Sequence, residues 1–427
     1  MLQRTSRSTP VIKTRETIPL SALDSLGSES LVIRANPKGL VVYLDFEPAT
    51  ILNRHRLQES FDQIRVSPEP CDLSFSGWVG FFGYEFLAAN LNIQLESAID
   101  LTLPDGWFAR PNSIIHLSVD STSIESLIPE REKEIRSILS TATNCGSVES
   151  LEIKEPAQSL SCNLNFAQYQ KIFVQAREAI LDGETYQIKI SQRFEAAAQI
   201  NPLYAFEKLR LSNPAPEAFL LQTPSFSIVS CSPEVVIDKH GKKISTRPIG
   251  GTYQRNNPEH DGSVIERFLR DPKEVAEHNM LVDLERNDLS ALCNPGSVRI
   301  ERFQEVESYS HLHHLVSTIS GSLREELTLQ EILQAMLPGG SITGCPKART
   351  MEWIDQLEPC FRGPYTGSFG TLEDSGDIRL NLIIRSMISL NAKCYIQAGG
   401  GIVVDSNPEY EYNENRIKAQ ALLDLLR

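Results

Sequence analysis

Apolar and polar residues recur with two different periods along this chain, and the two periods predict its helices and strands. Over Asn165 to Asp182 the apolar residues return every three or four positions, which is typical of a helix with one buried face. Over Tyr186 to Ser191 and Leu380 to Arg385 apolar and polar residues alternate, which predicts strands. In the first of these strands, Gln187 and Lys189 share the face opposite the isoleucines.

Further stretches of the sequence predict another pair of strands and another helix. Phe226 to Asp238 and Lys243 to Ile249 predict a pair of strands, and Asp271 is the expected N-cap of a helix that ends near Glu285. Strands and helices are interleaved without the strict alternation of a doubly wound sheet. The pattern therefore predicts an α+β fold with large, partly antiparallel sheets.

A polar, irregular stretch at residues 141–164 predicts a loop between two regions of the chain. Residues 1–160 mix loops with short strand-like runs, among them Gly39 to Phe46 and Ser113 to Val119. Residues 161–427 carry the stronger periodicity. Although 427 residues could form two or three domains, we expect the two regions to form one compact unit.

Composition limits the classes of partner. Apolar residues make up 41% of the chain and charged residues 22%, as in ordinary soluble enzymes. The net charge of −14 argues against nucleic acid or an anionic membrane as a partner. No run approaches the roughly 18 apolar residues of a membrane span. The eight cysteines form no C-x-x-C pair, which favours reduced thiols in the cytosol over a disulfide or zinc framework.

The first residues of the chain, up to Arg15, contain basic side chains and several serines and threonines but no acid. Such a composition is faintly similar to that of an organellar transit peptide. Because the segment is short, we interpret it as an ordinary chain start and expect a cytoplasmic protein.

The densest candidate chemistry lies near the C-terminus. Gly399 to Gly401 interrupt a strand-like run, so that backbone N–H groups can approach an anion. Ser406 is the expected N-cap of a helix on which Glu411, Glu414 and Lys418 share one face. Two carboxylates and an ammonium beside a glycine cradle suit a hydrated divalent cation that holds an anionic substrate. A solvated, charged helix end is the alternative.

A second glycine-rich loop, Pro338 to Lys347, runs into another predicted helix. Its free N–H groups, the hydroxyls of Ser341 and Thr343 and the charge of Lys347 predict an anion site. The spacing does not match a phosphate-binding P-loop, so a carboxylate is the favoured guest. Arg385 could clamp a second carboxylate with two N–H groups, or pair with a core acid instead.

Proton transfer has its own candidates. Glu234 follows a turn and precedes an apolar run, so that burial is expected to raise its pKa into the range of a general acid. His311, His313 and His314 have poor metal-ligand spacing on a predicted strand, and we expect one of them to transfer protons rather than bind zinc. By itself, Glu277 is interpreted as an exposed glutamate of its helix.

Taken together and in this order, these motifs resemble the chorismate-utilising enzymes. That family comprises anthranilate synthase component I, aminodeoxychorismate synthase component I, and the isochorismate and salicylate synthases. The resemblance runs from about Gly77 to the C-terminus and is dense from Asn165 onward. It implies a large two-sheet β-sandwich flanked by helices, in which residues 161–427 form the chorismate-binding catalytic region.

The resemblance also implies a metal site. Glu277 and Glu414 would bind one Mg²⁺ together with a carboxylate of the substrate, with Glu411 and Lys418 beside them. Two carboxylates, several waters and a substrate carboxylate would make an all-oxygen octahedron, which is the coordination that Mg²⁺ prefers.

Other matching residues would hold the substrate or act on it. Arg385, Tyr365 and a backbone amide near Gly401 would hold the enolpyruvyl carboxylate. Ser341, Gly340 and Thr252 would line the site of the ring. Glu234 would protonate the leaving C4 hydroxyl, and His314 would help to eliminate pyruvate. Gln187 and Lys347 would also occupy catalytic positions.

Gln187 bears on which member of the family this chain resembles. It occupies the position at which isochorismate and salicylate synthases carry a lysine that activates water. A glutamine cannot accept that proton, so the nucleophile must attack unaided, as ammonia does. This position therefore favours an aminating member.

The two aminating members are harder to separate. The segments 339–344 and 398–401 are closer to aminodeoxychorismate synthase, which we prefer, with anthranilate synthase as the alternative. Gly250 opposes this choice, because it occupies a position that is lysine in many aminodeoxychorismate synthases and alanine in anthranilate synthases. That lysine is thought to attack C2 of the ring before ammonia enters at C4. Lys189 is a candidate to replace it, or an exposed lysine of its strand.

The source of ammonia follows from the same resemblance. The sequence contains no G-x-C-x-G turn of a glutamine amidotransferase, so a separate glutamine amidotransferase subunit is expected to supply ammonia to chorismate bound here. A third alternative is a non-catalytic subunit that only docks a glutaminase. The intact charges of Glu234, Glu277, Glu414, Arg385 and Lys347 argue against it.

Overall fold

Two large sheets packed face to face form the centre of the molecule. A computed structural model of the chain describes residues 11–12, 18–66, 71–118, 120–142, 159–255, 261–308 and 312–426. Strand pairs throughout both sheets are antiparallel. The predicted α+β fold with two sheets flanked by helices is confirmed.

The elements follow one another along the chain without a repeating unit. The strands are β1 (Val11–Ile12), β2 (Leu31–Asn36), β3 (Gly39–Phe46), β4 (Thr50–Leu52), β5 (Gly77–Phe82), β6 (Gly106–Ala109), β7 (Pro111–Ser118), β8 (Thr122–Ser126), β9 (Leu160–Cys162), β10 (Gln187–Ala197), β11 (Glu217–Gln222), β12 (Phe226–Ser232), β13 (Val235–His240), β14 (Lys243–Thr246), β15 (Ile249–Gln254), β16 (Arg299–Ser308), β17 (Leu312–Ser322), β18 (Gly344–Cys345), β19 (Ser368–Glu373), β20 (Ile378–Leu382), β21 (Ser386–Leu390) and β22 (Lys393–Ile402). The helices are α1 (Leu57–Gln63), α2 (Tyr84–Asn90), α3 (Pro129–Ala142), α4 (Phe166–Leu181), α5 (Pro202–Ser212), α6 (Asp261–Leu269), α7 (Pro272–Ser290), α8 (Leu329–Met336), α9 (Lys347–Leu357) and α10 (Pro408–Leu423).

The strand order mixes both regions of the chain. The first sheet runs β1-β8-β7-β3-β2-β11-β12-β21-β22-β10-β18, with β9 also on β10. The second sheet runs β15-β17-β14-β13-β20-β19-β5-β6-β4, with β16 also on β17. Strands from before and after residue 160 pair directly, β2 with β11 and β5 with β19, so that each sheet is built from both regions.

Central strands of both sheets, such as β5 and β11, are apolar on both faces, because one face packs on the other sheet and the opposite face is covered by helices. In β11, Phe219 and Leu221 point to the second sheet, whereas Ala218 and Leu220 point to the helices. Phe219 stacks on Phe369 of the second sheet with ring centroids 3.7 Å apart. This double burial explains why strict alternation of apolar and polar residues is rare in these strands.

Several predicted elements are confirmed. Helix α4 begins after Asn165, whose side chain accepts a hydrogen bond from the Gln168 N–H, and it ends before Asp182. Strand β10 begins at Gln187, with the Ile188 and Ile190 side chains buried, and continues to Ala197. Among the described helices, none is both long and apolar enough to cross a membrane.

Two predicted strands are wrong in an informative way. The run Phe226 to Asp238 forms β12 in the first sheet and β13 in the second, with the chain crossing between the sheets around Glu234. The run Leu380 to Arg385 ends as a strand at Leu382, and Arg385 has a left-handed backbone with φ of +49° where the chain crosses back. Because β12 pairs with β21 and β13 with β20, the two crossings are adjacent.

The predicted N-cap of α10 also needs correction. The side chain of Asn407, rather than that of Ser406, accepts hydrogen bonds from the N–H groups of Glu409 and Tyr410. The Ser406 hydroxyl instead donates to the Glu411 carboxylate at 2.9 Å. Asn and Ser are comparable N-cap residues, so that the sequence alone could not separate these neighbours.

A buried ion pair holds β10 against the loop that follows α8. The Arg362 guanidinium binds both carboxylate oxygens of Glu358 at 2.7 and 2.8 Å. It also donates to the backbone oxygens of Lys189 at 2.9 Å and Ile342 at 3.3 Å. Glu358 in turn accepts from the N–H and the hydroxyl of Ser191. The pair therefore fixes β10 against the loop that follows α8.

We predict that Arg362→Met destabilises the protein by about 3–5 kcal/mol, because it leaves the Glu358 charge buried without its partner. Arg349→Met is the matched control, since Arg349 is more exposed and its solvent-screened ion pairs with Glu184 and Glu352 should contribute little to stability. Guanidinium chloride unfolding followed by circular dichroism measures both. Equal unfolding midpoints for the two variants would contradict the role given to Arg362.

Candidate active site

A cavity of about 180 Å³ lies where the two sheet crossings meet β10, β22, α7 and α10. Its lining contains most of the residues that the sequence predicted. The charged and polar side chains that line it are Lys189, Glu234, Lys273, Glu274, Glu277, Ser341, Arg362, Tyr365, Arg385, Gln397, Tyr410, Glu411, Glu414 and Lys418, and Gly399 and Gly401 contribute backbone.

Four carboxylates enter this cavity from two helices. Glu274 and Glu277 lie one turn apart on α7, and Glu411 and Glu414 lie one turn apart on α10. Burial, reinforced by the neighbouring Glu277, raises the pKa of Glu274 to about 7. Burial and the charge of Glu414 likewise raise the pKa of Glu411. Such crowding of like charges is costly without a cation between them.

Cationic side chains offset part of this charge. The Lys418 ammonium lies 3.0 Å from the Glu414 carboxylate, and although burial acts in the opposite direction, Lys418 holds the pKa of Glu414 below its usual value. The Lys273 ammonium lies 3.9 Å from Glu277 and 5.1 Å from the ring centroid of Tyr410. Lys273 thus connects α7 to α10 across the cavity.

Gly400 of β22 allows the carboxylates of Glu411 and Glu414 on α10 to lie close to this strand. A Cβ at Gly400 would lie 3.0 Å from an oxygen of Glu411 and 3.1 Å from an oxygen of Glu414. Any side chain at this position would push into the space between the carboxylates. The glycine run therefore serves close approach of the acidic helix to β22.

The donor set fits a hydrated Mg²⁺. All four acids supply hard oxygen ligands, and no soft ligand competes among the described lining residues. Within the described part of the chain, no three acidic, histidine or cysteine side chains converge closely enough to enclose an ion. A site with two carboxylates, several waters and substrate oxygens matches this open arrangement better than a closed protein cage does.

Glu234 sits at the crossing from β12 to β13 with its carboxyl group buried. The Ser341 hydroxyl donates a hydrogen bond of 2.7 Å to it. Burial raises the pKa of Glu234 to about 7, while the Ser341 hydrogen bond and the charge of Lys189 act in the opposite direction. The group is therefore partly protonated near neutral pH, as a general acid requires.

Arg385 and Tyr365 line the same cavity, as predicted. Arg385 lies at the second sheet crossing, and its Nη2 is 3.4 Å from Nε2 of His314. His314 is buried behind it, and burial together with Arg385 lowers the pKa of His314 to about 3. His314 is therefore neutral at physiological pH and contacts the cavity through Arg385.

Two predicted residues lie outside the cavity lining. The Lys347 ammonium points away from the cavity and binds the Ala335 carbonyl at 2.7 Å and Asp288 at 3.1 Å. Gly340 provides room for Leu284 of α7, whose side chain occupies the place of a Cβ. Neither residue lines the cavity, since both hold the glycine-rich loop against α7, and their contact with a substrate stays a prediction.

Two other predicted positions are only partly described. Thr252 lies on β15 opposite His314, but its side chain is outside the described residues. His311 also lies outside them. His313 is buried on β17, with its Nδ1 2.8 Å from the Ser308 hydroxyl, and it does not line the cavity.

Gln187 and Gly250 bear on the reaction. The buried Gln187 side chain packs over Gly401 and is not part of the cavity lining. A Cβ at Gly250 would lie 2.7 Å from Nδ1 and 2.9 Å from Cα of His278. Helix α7 thus occupies the space that a longer side chain at residue 250 would need.

The structure adds cavity residues that the sequence did not predict. Glu274 could have been predicted from the sequence, because Glu274-x-x-Glu277 repeats the spacing of Glu411-x-x-Glu414. No sequence pattern indicated Arg362, since only folding brings it to the carbonyl of Lys189. The same holds for Lys273, Gln397 and Tyr410. Lys189, considered either as a replacement nucleophile or as an exposed strand lysine, lines the cavity, and burial followed by the charge of Lys418 lowers its pKa.

Comparisons with known proteins agree with this geometry. The family model for chorismate binding enzymes matches residues 26–424. Aminodeoxychorismate synthase component 1 of Bacillus subtilis is 35% identical over 356 residues, which cover 81% of this chain and 76% of that protein. Anthranilate synthase component 1 1 of Haloarcula marismortui is 36% identical over 389 residues, which cover 86% of this chain and 79% of that protein.

A solved structure extends the likeness to the whole fold. Anthranilate synthase component I from Streptococcus pneumoniae has a TM-score of 0.76 at 28% identity, and the match covers 100% of this chain and 94% of that one. The sequence, the two stacked sheets and the acidic cavity between α7 and α10 lead to one conclusion. This chain belongs to the chorismate-binding enzyme family.

Proposed function

We propose that this chain is the chorismate-aminating subunit of a 4-amino-4-deoxychorismate synthase. It would convert chorismate and ammonia into 4-amino-4-deoxychorismate and water, in the cytoplasm. The observation that carries the proposal is the position of Glu234, a partly protonated acid near neutral pH, on the same cavity as Arg385 and the carboxylate pairs of α7 and α10. A dicarboxylate that carries a leaving hydroxyl suits that combination.

The acidic pairs would serve through magnesium. Glu277 and Glu414, with Glu411 beside them, would hold Mg²⁺, and the bound ion would neutralise a carboxylate of the substrate and orient it. The Lys418 ammonium would keep Glu414 ionised and ready to bind the metal.

The remaining residues would bind the second carboxylate and move a proton. Arg385 and Tyr365, with the backbone at Gly401, would hold the enolpyruvyl carboxylate. Glu234 would give its proton to the departing hydroxyl, which leaves as water while the nitrogen of ammonia bonds to the ring. Ser341 would keep the Glu234 carboxyl group in one orientation through its hydrogen bond.

A separate glutaminase would supply the ammonia. The relatives in Bacillus and Haloarcula are both named component 1, which indicates that each works with a further component. We infer that a glutamine amidotransferase subunit docks on this chain as well, because the sequence contains no nucleophile turn of that enzyme class.

Anthranilate synthase component I is the second candidate, and Gly250 favours it. Gly250 has no side chain that could attack C2, and a Cβ at this position would lie only 2.7 Å from Nδ1 and 2.9 Å from Cα of His278. Without that step, ammonia could enter at C2, and loss of pyruvate would then give anthranilate.

Product analysis decides between the candidates. With chorismate, Mg²⁺ and ammonium, we predict a non-aromatic amine that keeps its enolpyruvyl group and that a lyase converts to 4-aminobenzoate. Mass spectrometry, fluorescence and a pyruvate assay identify it. Glutamine in place of ammonium is the control and should yield no product. Fluorescent anthranilate with equimolar pyruvate would overturn the proposal in favour of the second candidate.

The pH dependence of the rate tests Glu234 as the acid. Since its pKa is about 7, the rate per free ammonia should fall as pH rises through this value. Ser341→Ala removes a hydrogen bond that stabilises the ionised carboxylate, so the pKa rises and the falling limb should move to higher pH by roughly half to one unit.

Ser212→Ala on the exposed end of α5 is the matched control, because its hydroxyl donates to the Lys208 carbonyl of its own helix and does not line the cavity. Its pH profile should equal that of the unmodified protein. A Ser341→Ala profile whose falling limb stays in place or moves to lower pH would remove Glu234 from the acid role.

A further inference from the structure

Lys189 differs from the other lysines of the cavity in its surroundings. The Lys418 ammonium lies 3.0 Å from Glu414 and that of Lys273 lies 3.9 Å from Glu277. Within the described part of the chain, the Lys189 ammonium has neither an ion pair within 4.0 Å nor a hydrogen bond, although it lines the same cavity. A desolvated ammonium without a partner is unfavourable unless a ligand supplies the missing acceptor.

The fold gives this side chain its direction. Lys189 on β10 is the direct partner of Gly401 on β22. A Cβ at Gly401 would lie 3.2 Å from Cε of Lys189, so that the lysine stem lies over the glycine. Because residue 401 has no side chain, the ammonium can turn into the cavity.

The backbone at Lys189 is fixed on both sides. Its N–H donates to the Thr343 carbonyl at 3.0 Å, and its carbonyl accepts from the buried Arg362 guanidinium at 2.9 Å. Arg362 is itself held by Glu358. The ammonium is therefore presented to the cavity from a rigid strand, as preorganised binding groups are.

We propose that Lys189 binds a carboxylate of the dicarboxylate substrate, next to Gly401, and is a substrate-binding residue of this site. This assignment rests on the proposed use of chorismate. Among the described residues of the free protein the ammonium has no hydrogen-bond acceptor, and the bound carboxylate supplies one through a charge-assisted hydrogen bond. Since a desolvated lysine without a partner favours the neutral form, the lowered pKa of Lys189 agrees with this arrangement.

Isothermal titration of the full chain with chorismate, in the presence of Mg²⁺, tests the assignment. Lys189→Met keeps the length of the stem and removes the charge, and it should weaken chorismate binding by about tenfold or more. Lys189→Arg keeps the charge and should restore a large part of the affinity. Lys171→Met on the exposed face of α4 is the matched control and should bind as the unmodified chain does.

The outcomes separate this inference from the proposed function. If the unmodified chain does not bind chorismate, the proposed function fails. If the unmodified chain binds and Lys189→Met binds equally well, only the assignment of Lys189 is overturned. A Lys189→Met variant with unchanged affinity but a much lower turnover number also contradicts carboxylate binding. Circular dichroism spectra and melting temperatures equal to those of the Lys171→Met control show that the variant is folded.

Discussion

The buried contact between Arg362 and Glu358 is the constraint on which the cavity depends. One guanidinium holds the carbonyl of Lys189 on β10, and its partner carboxylate holds the backbone of Ser191 two residues further on. The N–H of Arg362 is in turn held by the buried carboxyl group of Glu85 on α2. Buried charges are costly unless they are fully paired, and these contacts therefore fix the position of β10 against the loop that follows α8. The direction of the Lys189 side chain and the position of Ser341 both depend on this ion pair.

The two sheet crossings place the reacting groups. Strands β12 and β21 pair in one sheet and β13 and β20 pair in the other, so the chain crosses between sheets twice at neighbouring points. Glu234 occupies one crossing and Arg385 the other. At these points the backbone leaves the regular ladder, as the left-handed conformation of Arg385 shows. The fold thereby brings a proton donor and a cation to one cavity from residues 151 positions apart.

Sequence reasoning succeeded where chemistry is local and failed where packing decides. Glu411, Glu414 and Lys418 could be predicted because one helix with a regular period carries them. The strand assignments of residues 226–238 and 380–385 were wrong because a strand buried on both faces shows no break where it changes sheet. Lys347 was misplaced because the spacing of a glycine-rich loop does not reveal that Asp288 is its partner. Arg362 left no local signal, since the contacts that place it at the cavity, with the carbonyls of Lys189 and Ile342, are distant in sequence.

The central claim is that acids from α7 and α10 share one magnesium ion with the substrate, and calorimetry of chorismate binding with and without Mg²⁺ tests it most directly. In the unmodified chain, Mg²⁺ should strengthen chorismate binding by about tenfold or more. Glu277→Gln and Glu414→Gln should each lose most of this effect, whereas Glu352→Gln on the exposed face of α9 should keep it. If both site variants retained the full effect of Mg²⁺ on chorismate affinity, the account of the site would be contradicted.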